Sequence, residues 1–176
     1  GVLGLKHDVN RFIELAQAFV EHSEVRVVVV AEGVFADKLK SESTAKSLAN
    51  LIVLPYQTAA VYPQMLASAD VLMTILRSAA SVYSVPSKVY AYMCAARPQL
   101  LSLSAGNPVA KLVTKHNMGL VSEPDDVQAW LKNAHTLYQN RYNNQQMGMN
   151  ARAYAEEHFL HYLTPEGRIA GYLRLS

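Results

Sequence analysis

One cysteine, one tryptophan and eight glycines in 176 residues rule out several architectures at once. Cys94 has no second cysteine to pair with, so a small scaffold held by disulfides is excluded, and a reducing cytoplasm is the expected setting. No apolar run approaches the roughly 18 to 20 residues that span a bilayer, and no basic segment followed by an apolar block opens the chain. The chain therefore reads as soluble. Neither sign of charge dominates: 16 Lys and Arg stand against 14 Asp and Glu, a net of +2, with the cations dispersed. Nucleic-acid binding has little electrostatic support from such a distribution. Internal repeats, low-complexity tracts and linkers of domain-boundary quality are also missing, as are the G-x-x-x-x-G-K-S/T and G-x-G-x-x-G patterns of NTPases and common NAD sites.

What the chain does have is material for one core. Apolar residues make up 51% and charged residues 17%, and the length suits one well-packed domain over 1–176. Val9, Phe12, Ile13, Ala16, Phe19 and Val20 follow helical spacing, and the nearly all-valine stretch 25–31 predicts a strand buried on both faces. The alternation continues with a helix over 35–48, a strand over 51–54 closed by Pro55, a helix over 61–69 and a strand over 70–76. Helix 87–96, strand 99–103, a short helix from Asn107-Pro108 to His116 and a brief strand over 119–121 follow. Helices then take over. Val127, Trp130, Leu131, Ala134, Leu137 and Tyr138 mark one, 143–159 another with Gly148 as a weak point, and 164–173 a last one, so that 142–176 forms a C-terminal helical segment. Alternation of this kind predicts an α/β fold: a Rossmann-like, doubly wound parallel sheet with helices on both faces.

The stretch 84–100, SVPSKVYAYMCAARPQL, carries the chemistry. Pro86 suits a helix entry, and the first-turn amides beyond it can point at an anion, which the helix dipole also favours. Ser87 adds a hydroxyl donor and Lys88 a flexible cation. The same residues can simply cap a helix.

Val85-Pro86-Ser87-Lys88-Val89-Tyr90, followed by Tyr92-Met93 and Ala96-Arg97-Pro98, resembles the donor-binding signature of the retaining family-four glycosyltransferases, in particular bacterial enzymes of capsule, exopolysaccharide and lipopolysaccharide assembly. Gly4-Leu5-Lys6, Ala31-Glu32-Gly33, Ala67-Ser68-Ala69-Asp70-Val71 and Tyr154-Ala155-Glu156-Glu157-His158-Phe159 extend the likeness along the chain. The resemblance implies the C-terminal, nucleotide-sugar-binding half of a GT-B fold, without the N-terminal acceptor domain. It further implies a family strand just ahead of the loop matched by residues 1–6, so the chain is expected to begin just past its first strand.

From the resemblance, Gly4, Lys6, Ser87 and Lys88 are expected to hold the donor diphosphate, neutralising charge that grows as the glycosidic bond breaks. A turn glycine beside a solvated lysine is the plainer reading of the first two. Gly33, Pro55, Tyr56 and Ala91 map to the nucleobase and ribose region; Gly33 also serves simply as a positive-φ residue, and Tyr56 as an ordinary core or surface aromatic. The loop 77–84, with Arg77, Tyr83 and Ser84, is expected to line the donor sugar. Many relatives place Glu-x7-Glu here, whereas this chain has Tyr83 and Ala91 at those positions. Losing the second carboxylate removes a charge-assisted ribose contact worth on the order of 1.5 to 3 kcal/mol. The implied function is transfer of a sugar from a UDP- or GDP-linked donor to a surface-polysaccharide acceptor with retention, the isolated domain being inactive and no metal or cofactor required. A degenerate donor domain acting as a binding or assembly module is the alternative. A GT-B sugar-nucleotide epimerase fits the fold but not the V-P-S-K-x-Y segment.

Other constellations carry less. Asp125-Asp126 follows Pro124 and reads as a helix cap, His158 and His161 lack a third metal ligand, and Cys94 inside an apolar helix is a poor nucleophile. Arg168, Arg174, Ile169, Tyr172 and Leu173 give the tail a mixed face suited either to packing on the domain or to peripheral contact with the inner face of the plasma membrane.

Overall fold

The computed structural model describes Gly4 and residues 7–159. Five parallel strands alternate with helices: α1 (Asn10–Ala18), β1 (Val27–Val30), α2 (Val34–Ala45), β2 (Leu51–Leu54), α3 (Tyr62–Ser68), β3 (Leu72–Ile75), α4 (Ser78–Ser81), α5 (Lys88–Cys94), β4 (Gln99–Ser102), α6 (Pro108–Lys115), β5 (Gly119–Ser122), α7 (Val127–Gln139) and α8 (Arg141–Phe159). The short α4, inside the loop expected to be irregular, is the one element the spacing did not predict. The helix expected over 164–173, and Lys6 and His161, lie outside the described residues.

Helices cover both faces, as a doubly wound fold requires. α1, α2 and α7 enclose one core with Val27, Val29, Leu51, Leu100 and the fully buried Trp130. On the other face α5, α6 and α8 meet over Val89, Met93, Leu101, Val113 and Ala151. A third cluster joins Leu66 of α3 to Leu72 and Tyr92.

Two departures from expectation matter for the site. The hydrogen-bonded ladder is not continuous: β1 pairs only with β2, while β3, β4 and β5 form a separate three-stranded sheet in that order. The valine strand is also not buried on both faces, because Val28 is 43% exposed while Val27 and Val29 face the core. The first leaves β1 without a ladder partner on the side away from β2 among the described residues, and the second leaves one of its faces partly uncovered.

Gly148, expected as a weak point, has a positive role. It lets α8 approach the end of α5 so closely that a Cβ there would lie 2.4 Å from the Ala96 carbonyl oxygen. Ala96 itself holds φ +55°, the left-handed region that glycine occupies without strain. The backbone at this point suits glycine, and this chain holds it with alanine.

Candidate functional site

The parallel arrangement gathers the strand-to-helix loops at the carboxyl ends of the strands, where open α/β sheets bind ligands. Hydrogen bonds tie these loops together. Glu32, just past β1, accepts from the Tyr56 amide just past β2 (Oε1 to N, 3.0 Å). Arg77 Nε, just past β3, donates to the His7 carbonyl at 3.3 Å. Ser78 Oγ donates to Asp125 Oδ2 at 2.5 Å, and the Ala105 amide donates to Glu123 Oε1 at 2.8 Å. Arg11, only 6% exposed, sends Nε and Nη2 to the Pro124 carbonyl at 3.2 and 2.8 Å, fixing the start of α1 to the loop after β5.

Ser87 and Lys88 open α5. Ser87 makes no capping bond to its own helix, which leaves its hydroxyl oriented by nothing in α5. The first turn departs from expectation, since the Val89 and Tyr90 amides donate to the Pro86 and Ser87 carbonyls, each at 3.2 Å. Fewer amides are therefore offered to an anion than a bare helix start provides, and more of that work falls to the Ser87 hydroxyl and the Lys88 ammonium. Ser84, Ser87 and Lys88 share one cavity of about 1080 Å³ with His7. Gly4 lies against His7, its amide donating to His7 Nδ1 at 3.0 Å, so Nε2 carries that ring's proton.

The remaining predicted residues are distributed around this point. Gly33 caps α2 with φ +87°, its carbonyl accepting from the Ala36 and Asp37 amides at 2.9 and 3.0 Å. Pro55 and Tyr56 are exposed at the end of β2, and the Glu32 bond joins them to the Gly33 turn. Tyr83 is 88% exposed at the tip of the loop after α4. Ala91 is half-buried and packs toward Leu66, Leu72 and Tyr92. Gly33, Pro55, Tyr56, Arg77, Tyr83 and Ala91 do not line the cavity that holds Ser87 and Lys88.

Asn107 is the residue that sequence reasoning passed over. Read from sequence as part of a helix entry, it is 1% exposed and bonded in three directions. Its Oδ1 accepts from the Val109 amide at 2.9 Å, capping α6, while Nδ2 donates to the Ser81 and Ser84 carbonyls at 2.6 and 2.9 Å. Ser81 Oγ adds a contact from the same loop by accepting from the Ser104 amide at 2.6 Å. The loop 81–84 is thereby clamped to the end of β4. The Asn-Pro pair signals the cap; nothing in the sequence signals the clamp. Asn107→Ala is expected to lower stability by about 2 to 3 kcal/mol through the lost cap and two buried carbonyls left without their donor. Urea unfolding followed by circular dichroism measures the loss, and hydrogen exchange at Ser84 reports the loosened loop.

The excluded constellations look as follows in three dimensions. Asp126 Oδ1 accepts from the Ala129 amide at 2.8 Å and caps α7. Cys94 is half-buried, and burial pushes its thiol up from the ordinary range, away from thiolate chemistry. Among the described residues no group of three His, Cys, Asp or Glu side chains is placed to hold a metal, and no helix is long and apolar enough to cross a membrane.

With this geometry in place, comparison with known proteins gives a consistent result. A family model described as glycosyl transferases group 1 matches residues 3–140. Curated protein sequences give no significant match. Among solved structures, a mutant of S. aureus TarM, in complex with fondaparinux, alpha-GlcNAc-glycerol and UDP, superposes with TM-score 0.73 at 15% identity. That alignment covers 98% of this chain and 33% of the other. WaaG, a glycosyltransferase involved in lipopolysaccharide biosynthesis, gives 0.70 at 18% identity over 90% of this chain and 41% of its own. Anabaena Alr3699/HepE, in complex with UDP-glucose, gives 0.66 at 16% identity over 93% and 43%. The chain thus spans less than half the length of these proteins, whose shared fold it has.

Proposed function

This chain belongs to the group 1 glycosyl transferases, and from that premise we propose that it is the donor-binding domain of a retaining glycosyltransferase that builds a bacterial surface polysaccharide from a UDP- or GDP-sugar. The observation that carries the reading is the placement of Ser87 and Lys88 at the head of α5, after the carboxyl end of β3, where with Ser84 they line a cavity that runs between β1 and β3. Structural neighbours crystallised with UDP or UDP-glucose support a nucleotide-sugar as the ligand.

The chemistry asked of this half is electrostatic. As the bond from the sugar's anomeric carbon to the diphosphate oxygen breaks, the electron pair stays with the nucleoside diphosphate. Lys88 takes up that charge, the Ser87 hydroxyl donates to it, and the basic residue expected at Lys6 assists. The acceptor hydroxyl, positioned by the other domain, attacks from the face the leaving group departs and passes its proton to the departing diphosphate oxygen. Because protein cations supply the countercharge, no metal is required. The Glu32 to Tyr56 bond fixes the paired loops after β1 and β2, where the base and ribose would lie. As proposed, the enzyme works in the cytoplasm, with any membrane contact peripheral.

One observation favours a second reading. Tyr83 and Ala91 stand where relatives carry carboxylates, and Ala91 is half-buried against an apolar cluster, so a donor domain kept only for binding or assembly is the competing proposal. Calorimetric titration with UDP, GDP and ADP separates the two. Saturable binding of one of them is the expected result and identifies the base. A folded chain that binds none of the three would shift the assignment to the non-catalytic module.

A further inference from the structure

The Asn107 side chain is committed between two loops. Its oxygen takes the Val109 amide of its own helix at 2.9 Å, and its Nδ2 donates to two carbonyls far away in sequence, Ser81 at 2.6 Å and Ser84 at 2.9 Å. An amide has two N–H groups on one atom and an acceptor on the other, so a single orientation serves all three bonds. With Asn107 1% and Ser81 0% exposed, water does not compete for them. The anchor side of this clamp is itself held. The Asn107 amide donates to the Ser104 carbonyl at 2.8 Å, its carbonyl takes the Lys111 amide at 3.0 Å, and the Ala105 amide reaches Glu123 on the loop after β5.

The path from the clamp to the head of α5 is short and stiff. Only Val85 and Pro86 separate Ser84 from Ser87. Val85 precedes a proline, which keeps it out of helical backbone, and the ring of Pro86 fixes its own φ. The Val89 and Tyr90 amides then bind the Pro86 and Ser87 carbonyls at 3.2 Å each, which holds Ser87 and Lys88 in the first turn of the helix. Few rotatable bonds therefore lie between the clamped Ser84 carbonyl and the backbone that carries the Ser87 hydroxyl and the Lys88 ammonium. The loops after β1 and β2 are organised separately. They are tied to each other through Glu32 and Tyr56 and belong to the other sheet.

We infer that Asn107 is a positioning residue for diphosphate binding. Without touching the ligand, it sets where the Ser87 hydroxyl and the Lys88 ammonium stand, and so governs affinity for the diphosphate while leaving the grip on base and ribose to the loops after β1 and β2. The inference rests on the donor-site reading. It differs from the role of Asn107 as a helix cap, which fixes stability alone.

The test separates clamp from cap. Asn107→Ser keeps an oxygen able to cap α6 but cannot reach Ser81 and Ser84. Asn107→Asp, close to isosteric, caps without any donor and is used where the serine variant does not fold. Asp126→Ala, which removes the cap of α7, is the control for lost stability. On the full-length enzyme, hydrogen exchange of peptides spanning 82–90 is expected to quicken at least about tenfold in the Asn107 variant relative to the control. UDP affinity is expected to fall about 5- to 20-fold, the cost of ordering a freed loop on binding, while uridine affinity stays within about twofold. Asp126→Ala should move neither affinity by more than about twofold. A merely structural asparagine predicts that UDP and uridine change alike. That result, or exchange over 82–90 no faster than in the control, would overturn the inference. Failure of the wild type to bind UDP, GDP or ADP would count against the donor reading instead, and the exchange comparison alone would then decide whether Asn107 sets the head of α5.

Discussion

Gly119→Ala is expected to cost about 4 kcal/mol or more, a large share of the roughly 5 to 15 kcal/mol that holds a domain of this kind folded. Gly119 opens β5 directly opposite Gln99 of β4. A Cβ at that position would lie 2.1 Å from the Gln99 carbonyl oxygen and 2.8 Å from its backbone nitrogen. Both atoms belong to the backbone of the central strand of the three, so no rotamer change relieves the overlap. Gln99 is itself fully buried, which leaves its strand no solvent side to move toward. Gly148→Ala meets the Ala96 carbonyl at 2.4 Å and is expected to cost about 3 kcal/mol, less because α8 can slide along α5 more easily than one strand can leave another. Gly106, with open space around its Cβ position and no positive φ, is the control: Gly106→Ala should be neutral to within about 0.5 kcal/mol. Urea denaturation of the three variants measures the ranking. A Gly119→Ala protein as stable as Gly106→Ala would mean that β4 and β5 are spaced otherwise than described.

The contrast among these glycines shows what a sequence can and cannot reveal here. Periodicity alone places each of the larger helices and strands of the described region, because apolar spacing and the punctuation of Pro55 and Pro108 are local signals. Ser87 and Lys88 are equally visible at a helix entry, but their spacing suits a cap as well as an anion site, and the resemblance of the surrounding segment is what singles out the second. Gly148 is visible only as a defect, because the carbonyl it makes room for is some fifty residues away in sequence. Asn107 is visible as a cap through Val109, two residues on, and invisible as the clamp on Ser81 and Ser84. The exposure of Val28 could not be read at all. Four successive valines have the composition of a strand covered on both faces, and only the packing around β1 shows that the face of Val27 and Val29 is covered while that of Val28 stands partly open. What depends on long-range approach was hidden, and what depends on local spacing was not.

Lys88→Ala is expected to lower nucleoside-diphosphate affinity about 10- to 100-fold, equivalent to about 1.5 to 3 kcal/mol, the worth of a hydrogen bond to a charged group. The size of the effect follows from how few donors the site offers. The Val89 and Tyr90 amides are committed to Pro86 and Ser87, so the helix start cannot take over the countercharge when the ammonium is removed. Lys88→Arg should restore only part of the affinity, since a planar guanidinium holds phosphate well but reaches it along a different path. The loss should shrink as salt rises from about 0.05 to 0.5 M, because screening weakens the wild-type contact and leaves the alanine variant little to lose. Fold stability should stay within about 0.5 kcal/mol, as Lys88 is the first residue of α5 and only half-buried. Calorimetry with UDP on the full-length enzyme, paired with a thermal melt of each variant, makes the measurement. The same experiment weighs the two missing carboxylates. If Lys88→Ala reduces affinity as expected while Ala91→Glu raises it, the site is a working donor site running on fewer contacts. If neither change moves the affinity, the diphosphate does not sit at the head of α5.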